Sequence, residues 1–138
     1  MTDAAALIAA LDLSPHPEGG YYRETMRLPA AAGGRSIATA ILFLLPGGAR
    51  SHWHRVDAEE IWLWHAGAPL DLRIGTDRVT LGSDVLAGQQ PQARVPAGVW
   101  QAAQADAGWA LVSCVVTPGF DFAGFELAPE GWSPSGAG

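Results

Sequence analysis

The chain has 138 residues, of which 49% are hydrophobic, and this length and composition fit one folded domain with a substantial core. The formal net charge is -6, and the 8 basic residues form no cluster, so a nucleic acid is not expected as a partner. The longest apolar run, residues 37–45, is about half of a membrane span, and the N-terminus lacks a positive signal segment, so we expect a cytoplasmic protein without a membrane partner.

The first predicted element is a short helix. Thr2 or Asp3 can supply its N-cap, and Leu7, Ile8 and Leu11 share one face. Pro15 cannot continue a helix, so the element ends before it.

After this helix, Gly and Pro recur at short intervals, which is typical of short strands joined by turns. The predicted strand segments are residues 21–28, 36–45, 49–54, 60–65, 69–74, 78–81, 92–95, 100–104, 109–116 and 120–127. Many short strands at regular spacing predict an all-β sandwich or barrel. We expect one domain over residues 1–130, with a flexible tail over residues 131–138. Cys114 lies in an apolar run and is expected to be a buried, inert thiol.

Two histidines and a carboxylate flank a predicted hairpin. His52 and His54 are one residue apart, so on a regular strand both side chains face the same side. The next strand can return antiparallel and direct Glu60 towards them. Nitrogen and oxygen donors that converge in this way suit zinc or a first-row transition metal, and they equally suit acid–base chemistry. His16 and His65 have no motif partner, and we interpret them as structural or surface residues.

Several segments carry a resemblance to a known superfamily. Gly48, His52-x-His54, Glu60 and Gly67 resemble the first motif of the cupins, and residues 88–101 resemble the second. Residues 17–24, 57–62, 96–101 and 117–122 more narrowly resemble a cupin family of unknown function, DUF985, over roughly residues 5–128. The resemblance implies a double-stranded β-helix (jelly roll), usually a homodimer, with a ligand pocket inside the barrel.

The resemblance also implies a metal set, from which this sequence departs. Metal-binding cupins take a third histidine from the second motif, at the position occupied here by Gln101. An amide oxygen is a weaker ligand than imidazole, so a metal held by His52, His54, Glu60 and Gln101 should bind less tightly. The candidate ions are Zn, Fe, Mn and Ni. The spacing leaves Glu59 as an alternative to Glu60, because Glu59 fits the distance behind His54 better.

Aromatic and polar residues supply candidates for substrate contacts. Indoles lining a barrel mouth can stack on sugars or planar rings, although tryptophans most often lie in the core. The strand over residues 21–28 is either an ordinary polar edge strand or, as the resemblance implies, part of the pocket wall and dimer interface. The candidate substrate contacts are Trp62, Trp64, Gln101, Tyr21 and Arg23, and Tyr22 is a candidate proton donor.

Three function classes remain open. The first is an isomerase or epimerase of the sugar-nucleotide cupin type, with His54 or His52 as base, a tyrosine as acid and no metal. The second is a metal-dependent oxygenase or isomerase that uses His52, His54 and Glu60. The third is a non-catalytic module that binds a metabolite. We favour a cupin that binds a carbohydrate-like or other small polar metabolite, with an epimerase-like or isomerase-like activity.

The early strand also predicts how the chain assembles. Residues 21–28 place Tyr22, Met26 and Leu28 in alternation with Arg23 and Arg27, which gives one apolar and one polar face. Such a strand can bury its apolar face by pairing with a second copy. The expected partners are therefore a small-molecule ligand and a second copy of this chain.

Overall fold

The computed structural model describes residues 3–134, which form two antiparallel sheets and one short α-helix. No helix in this range is long and apolar enough to cross a membrane. The helix and strands in chain order are α1 (Ala4–Ala10), β1 (Ser14–Pro15), β2 (Tyr21–Arg27), β3 (Thr39–Leu45), β4 (Arg50–Val56), β5 (Glu59–Gly67), β6 (Leu70–Ile74), β7 (Asp77–Leu81), β8 (Gln92–Val95), β9 (Gln101–Gln104), β10 (Ala110–Thr117) and β11 (Phe125–Leu127).

The two sheets pack against each other around one main core. The larger sheet has the order β1-β2-β3-β10-β5-β8, and the smaller has the order β11-β4-β9-β6-β7. Alternate residues of both sheets point inward, because successive side chains on a strand face opposite sides. The core residues include Phe43, Trp62, Leu70, Leu72, Leu81, Val95 and Val112. Each large apolar side chain buried in this way contributes about 1.5–3 kcal/mol. The arrangement confirms the predicted all-β jelly roll with one short N-terminal helix.

Helix α1 begins and ends close to the predicted positions. The Asp3 carboxylate caps it, since Oδ1 accepts a hydrogen bond from the Ala6 N–H at 2.7 Å. Thr2, the alternative cap, lies outside the described residues. Beyond the helix, Ser14 and Pro15 pair with β2 as a two-residue strand. Pro15, which was predicted to end the helix, thus lies in the first strand of the larger sheet.

Most strand boundaries differ from the prediction by one or two residues, and the two largest differences have identifiable reasons. Strand β3 begins at Thr39, because the Ser36 hydroxyl donates to the Leu28 and Ala38 carbonyl oxygens and closes a loop there. Residues 120–127 are extended only at β11. Phe122–Gly124 forms a 3₁₀ turn instead, and the Asp121 carboxylate caps it by accepting from the Ala123 N–H at 3.0 Å.

The predicted flexible tail is described only in part. The Trp132 N–H donates to the Pro129 carbonyl oxygen at 3.1 Å, and its ring centroid lies 4.6 Å from that of Trp100. Residues 135–138 lie outside the described part of the chain. The tail and the boundary at residue 130 therefore stay predictions.

Candidate functional site

A cavity of about 810 Å³ lies between the two sheets and opens to solvent. Strands β2, β3, β5 and β10 of the larger sheet and β4 and β11 of the smaller sheet contribute to its walls. A space of this size fits a small-molecule ligand. The buried polar residues that line it are His16, Glu18, Ser36, Thr39, His54 and Glu60.

A bulge in β4 decides which of its side chains enter the cavity. Ser51 pairs with Ala103 and His54 pairs with Gln101, so β4 advances by three residues where β9 advances by two. The extra residue in β4 changes which of its side chains point inward. Ser51 and His54 both point inward and are each 1% exposed. His52 is directed elsewhere, and its Nε2 lies 3.0 Å from the Pro129 carbonyl oxygen. The expectation that His52 and His54 share one face therefore does not hold, because it assumed a regular strand.

The turn between β1 and β2 places Glu18 next to this bulge. The Glu18 carbonyl oxygen accepts a hydrogen bond from the His52 N–H at 2.7 Å, which satisfies a donor within the irregular part of the β4–β9 pairing. Gly19 has φ +110°, and a Cβ at this position would collide with the Arg50 carbonyl oxygen. Glycine thus allows the turn to approach β4 closely enough for the Glu18 side chain to enter the cavity.

The Glu18 carboxyl group contacts three buried side chains. Its Oε1 lies 3.2 Å from Nδ1 of His16, and its Oε2 lies 3.3 Å from Nε2 of His54. The Ser51 hydroxyl donates a hydrogen bond to Oε2. Two imidazoles and a hydroxyl therefore surround one buried carboxyl group.

These groups are uncharged at neutral pH because burial penalises their charged forms. Burial raises the pKa of Glu18 to about 8, partly offset by the Ser51 hydrogen bond. Burial, together with the nearby His54, lowers the pKa of His16 to about 4. The pKa of His54 is also lowered, again mainly by burial. The Glu18–His54 contact is thus between a protonated carboxyl group and a neutral imidazole, rather than an ion pair.

The tautomer of His54 follows from its backbone contact. Nδ1 lies 2.7 Å from the His52 carbonyl oxygen, which can only accept, so Nδ1 carries the proton and donates. In the neutral ring Nε2 then has a free electron pair, and this is the atom next to Glu18. The backbone therefore fixes His54 as a proton acceptor towards the cavity.

Glu60 is the inward carboxylate of the predicted pair. It is 6% exposed, and its Oε1 accepts a hydrogen bond from Nε2 of Gln101 at 2.7 Å. Trp62 Nε1 donates to Oε1 of the same amide at 2.9 Å, which fixes the amide orientation because an indole N–H can only donate. Burial raises the pKa of Glu60. Glu59 instead contacts Arg94 and the Ala97 N–H near the surface.

Cys114 lies beside Glu60 in the cavity wall and is 2% exposed. Burial raises the pKa of its thiol well above the ordinary value, with the neighbouring Glu60 adding to the effect. The thiol thus stays protonated, as expected for an inert buried cysteine.

The candidate substrate contacts are distributed over three environments. Tyr22 lines the cavity, and its ring centroid lies 4.5 Å from that of His16. Gln101 and Trp62 support Glu60 but do not line the cavity themselves.

The other three candidates lie away from the cavity. Tyr21 is adjacent to Tyr22 on β2, and neighbouring side chains on a strand face opposite sides of the sheet, so Tyr21 faces away from the cavity. Arg23 donates to the Leu11 carbonyl oxygen at 2.8 Å, and Trp64 donates to the Ala68 carbonyl oxygen at 3.0 Å. The structure therefore does not bring Tyr21, Arg23 or Trp64 to the candidate site.

The residues proposed from sequence as metal ligands do not form one coordination site. His52 is directed away from His54, and the Gln101 oxygen already accepts from Trp62. Among residues 3–134, no group of three or more His, Cys, Asp or Glu side chains is placed to hold one ion. The donors thus do not fit a resident metal, and no step of a mechanism is derived through one.

Sequence reasoning missed Glu18, His16 and Ser51. None has a local spacing that points to chemistry, because the β1–β2 turn carries His16 and Glu18 to the cavity and the bulge directs Ser51 towards Glu18. One signal was available for Glu18, which lies in the Pro17-Glu18-Gly19-Gly20 segment of the family resemblance. Two consecutive glycines indicate a close backbone approach.

Comparison with known proteins agrees with this architecture. A hypothetical protein from Leishmania major is 34% identical with a TM-score of 0.86, covering 92% of this chain and 88% of that chain. A protein from Shewanella oneidensis is 38% identical with a TM-score of 0.87, covering 93% and 85%. A cupin-2 domain from Rhodospirillum rubrum shares the fold at 16% identity, with a TM-score of 0.62 and coverage of 86% and 76%. No curated protein matches. Residues 5–128 match the family described as Cupin superfamily (DUF985), so the chain belongs to that cupin family.

Proposed function

We propose that this cupin binds a small carbonyl-bearing metabolite in its cavity and catalyses proton transfer at carbon, as an isomerase or epimerase does. The supporting observation is the buried Glu18–His54 pair in the cavity wall. A backbone contact directs the free electron pair of His54 Nε2 towards Glu18, whose carboxyl group is protonated at neutral pH. A neutral base that is shielded from water and has a neutral carboxyl group beside it suits proton transfer.

The proposed reaction has two balanced steps. His54 Nε2 accepts the proton from the carbon next to the ligand carbonyl, and the electron pair of that C–H bond moves into the carbonyl to give an enol or enolate. A proton then returns to carbon or oxygen from an acid in the cavity. Tyr22 is the candidate for this acid, because it lines the cavity and its hydroxyl has no hydrogen-bond partner among residues 3–134.

Glu18 and Ser51 act as positioning residues in this proposal. Glu18 lies 3.3 Å from Nε2, so it must exchange this contact for the ligand before His54 can accept a proton from carbon. The hydrogen bond from Ser51 holds the Glu18 carboxyl group close by during that exchange. Because Glu18 and His54 are both neutral, separating them leaves no unpaired buried charge, so the free-energy cost of this exchange is small.

Solvent deuterium exchange tests the proposal without knowledge of the natural substrate. The protein is incubated in D₂O with pyruvate, dihydroxyacetone or fructose, and loss of carbon-bound proton signals is followed by ¹H NMR against a protein-free sample. We expect accelerated exchange for at least one probe and a loss of about 10²-fold or more in His54→Ala. His52→Ala is the matched control, because this histidine is directed away from the cavity.

A non-catalytic binding role is the second candidate, and the same contact favours it. Nε2 of His54 already has Glu18 beside it. In a binding role, the pair would form part of a buried polar surface that contacts the ligand, without transferring a proton. Binding of a probe that raises thermal stability, without deuterium exchange for any probe, would support this role and overturn the catalytic proposal.

A further inference from the structure

The cavity has two chemically different parts. Its buried titratable groups, including Glu18, His54 and Glu60, lie together, as their mutual contacts and electrostatic interactions show. Another part of the lining is formed by three phenylalanines, Phe120, Phe122 and Phe125, which we call the phenylalanine wall. A ligand that fills the cavity therefore contacts a polar group at one point and aromatic rings at another.

We propose that the phenylalanine wall is a binding subsite for a planar, unsaturated ring, so that the ligand is a carbonyl compound with an aromatic body. This inference rests on the proposed function and specifies its substrate class. It departs from the carbohydrate-like ligand that the sequence favoured.

The wall is a preformed aromatic surface. The rings of Phe120 and Phe122 lie edge to face with centroids 4.7 Å apart, and Phe125 lies 5.9 Å from each of them at steep angles. Edge-to-face clusters leave a ring face or edge available to a further aromatic ring. His16 extends the cluster towards Glu18, with its ring centroid 6.0 Å from that of Phe125.

Phe122 is the residue that points most directly to a ligand. It is 53% exposed although it lines the cavity, so most of its apolar surface has no protein contact. Packing alone does not account for such a residue, because a phenylalanine in a core would be nearly covered. A ring bound at the mouth of the cavity would cover this surface.

The segment that carries the wall is held in place from both sides. Arg35 Nε donates to the Gly119 carbonyl oxygen at 2.6 Å, and Arg27 donates to the Phe120 carbonyl oxygen at 3.0 Å. The 3₁₀ turn at Phe122–Gly124 is capped by Asp121. Because the backbone is fixed by these contacts, little conformational entropy is lost when a ligand binds to the wall.

The lining also includes polar side chains such as Glu24, Arg35 and Asp121, but one part of it is aliphatic and favours a planar ring over a sugar. Ile41, Val56 and Val116 line the cavity and offer no side-chain hydrogen bond. A pyranose carries hydroxyl groups around its whole ring, and those buried against these residues would lose their hydrogen bonds to water. An aromatic ring has no such groups, so the same surface favours it.

Three ketones with the same head group test the ring preference. These are 2-butanone, 4-phenyl-2-butanone and 4-cyclohexyl-2-butanone, with fructose as the polyhydroxylated comparison, and binding is measured by titration calorimetry. We expect the phenyl compound to bind at least about tenfold more tightly than 2-butanone and about two- to tenfold more tightly than the cyclohexyl compound. Fructose binding as tightly as the phenyl compound, or equal affinities for the phenyl and cyclohexyl compounds, would overturn the proposal.

A variant of the exposed ring locates the subsite. Phe122→Ala should weaken 4-phenyl-2-butanone about tenfold and leave 2-butanone unchanged, since only the former reaches the wall. Leu86→Ala is the matched control, because Leu86 is fully exposed and does not line the cavity. An unaltered affinity of folded Phe122→Ala for the phenyl compound would contradict the inference.

The two proposals fail in different ways. Ring-selective binding without deuterium exchange would overturn the catalytic function and leave the subsite supported. His54-dependent exchange on fructose or pyruvate, combined with no ring preference, would support the function and overturn the subsite.

Discussion

Glu18 Oε2 lies 3.3 Å from Nε2 of His54, although the two residues belong to different motifs and different parts of the fold. Glu18 comes from the turn before β2, and His54 lies on β4 of the opposite sheet. A bulge and a glycine-rich turn bring them together. The contact thus joins the N-terminal segment to the first cupin motif in the wall of the cavity.

The first prediction concerns the pH dependence of stability. The unfolded Glu18 carboxyl ionises near pH 4.5 and the folded one near pH 8, so between these values the folded chain binds more protons and stability falls as pH rises. His16 acts in the opposite sense between its unfolded pKa of 6.5 and its folded value of about 4. Between pH 6.5 and 8, His16 no longer changes the free energy of unfolding. The titration of Glu18 lowers this free energy by at most about 2 kcal/mol over that range.

Urea unfolding at several pH values between 6.5 and 8 measures this effect. Glu18→Gln cannot titrate, so its unfolding free energy should fall less steeply with pH than that of the parent chain. Glu60 remains in both proteins, but Glu18 is one cause of its raised pKa, so the difference between the profiles reports Glu18 together with its effect on Glu60. Parallel pH profiles would show that Glu18 is already ionised in the folded protein.

The second prediction separates the two histidines of the His-x-His motif. His54→Ala should lower ligand-dependent deuterium exchange by about 10²-fold or more, whereas His52→Ala should stay within about twofold of the parent. The reason is the bulge, which directs only His54 into the cavity. Equal losses in both variants would indicate that both imidazoles act on the ligand.

The third prediction concerns the Gln101 amide. Gln101→Leu should lower the unfolding free energy by about 2–4 kcal/mol, because it leaves both the Trp62 N–H and Glu60 without their partner. Gln104→Leu is the matched control, since its amide donates to Asp106 near the surface, and a change within about 0.5 kcal/mol is expected there. Denaturant unfolding by tryptophan fluorescence measures both. Similar losses of unfolding free energy in the two variants would argue against the importance of the buried hydrogen bonds from Trp62 to Gln101 and from Gln101 to Glu60.

The fourth prediction is that the purified protein holds no stoichiometric metal. The structure does not bring His52, His54, Glu60 and Gln101 into one coordination site, so any ion bound there should be weakly held. Elemental analysis before and after chelator treatment, together with the melting temperature, checks this. A tightly bound ion that survives chelator at pH 5 would overturn it.

The fifth prediction is a homodimer to which β2 contributes. Beyond its pairing with β1 at Tyr21 and Tyr22, the outer edge of β2 has no strand neighbour within residues 3–134. Met26 is 55% exposed on this strand, and Ile37 is 48% exposed close to β3. A second copy that pairs with this edge would cover such apolar residues.

Light scattering is expected to give a mass of twice 14.4 kDa for the parent chain. Met26→Arg should shift it towards the monomer, whereas Leu86→Arg, a fully exposed position outside this edge, should not. Deletion of the residues before Leu28 should give aggregation or an unstable monomer. A stable monomeric parent would refute the prediction.

Much of the fold could be predicted from the sequence, because turn residues and strand alternation are local properties. Gly and Pro spacing separates the strands, and the segment from Glu60 to Trp62 shows the alternation that places both side chains inward. The spacing of the cupin motif limited the choice of the inward carboxylate to Glu59 or Glu60, and the structure shows that it is Glu60. The motif resemblance added the strand pairing that local patterns cannot provide.

The composition of the candidate site was decided by the tertiary structure. Alternation predicted that His52 and His54 face one side, and a single bulge in β4 separated them, because an extra residue in a strand reverses which side chains point inward. Glu18 and His16 enter from a turn whose path depends on a close contact between Gly19 and β4. Residue types and strand positions are written locally in the sequence, whereas bulges, turn approaches and the pKa values of buried groups depend on residues that become neighbours only after folding.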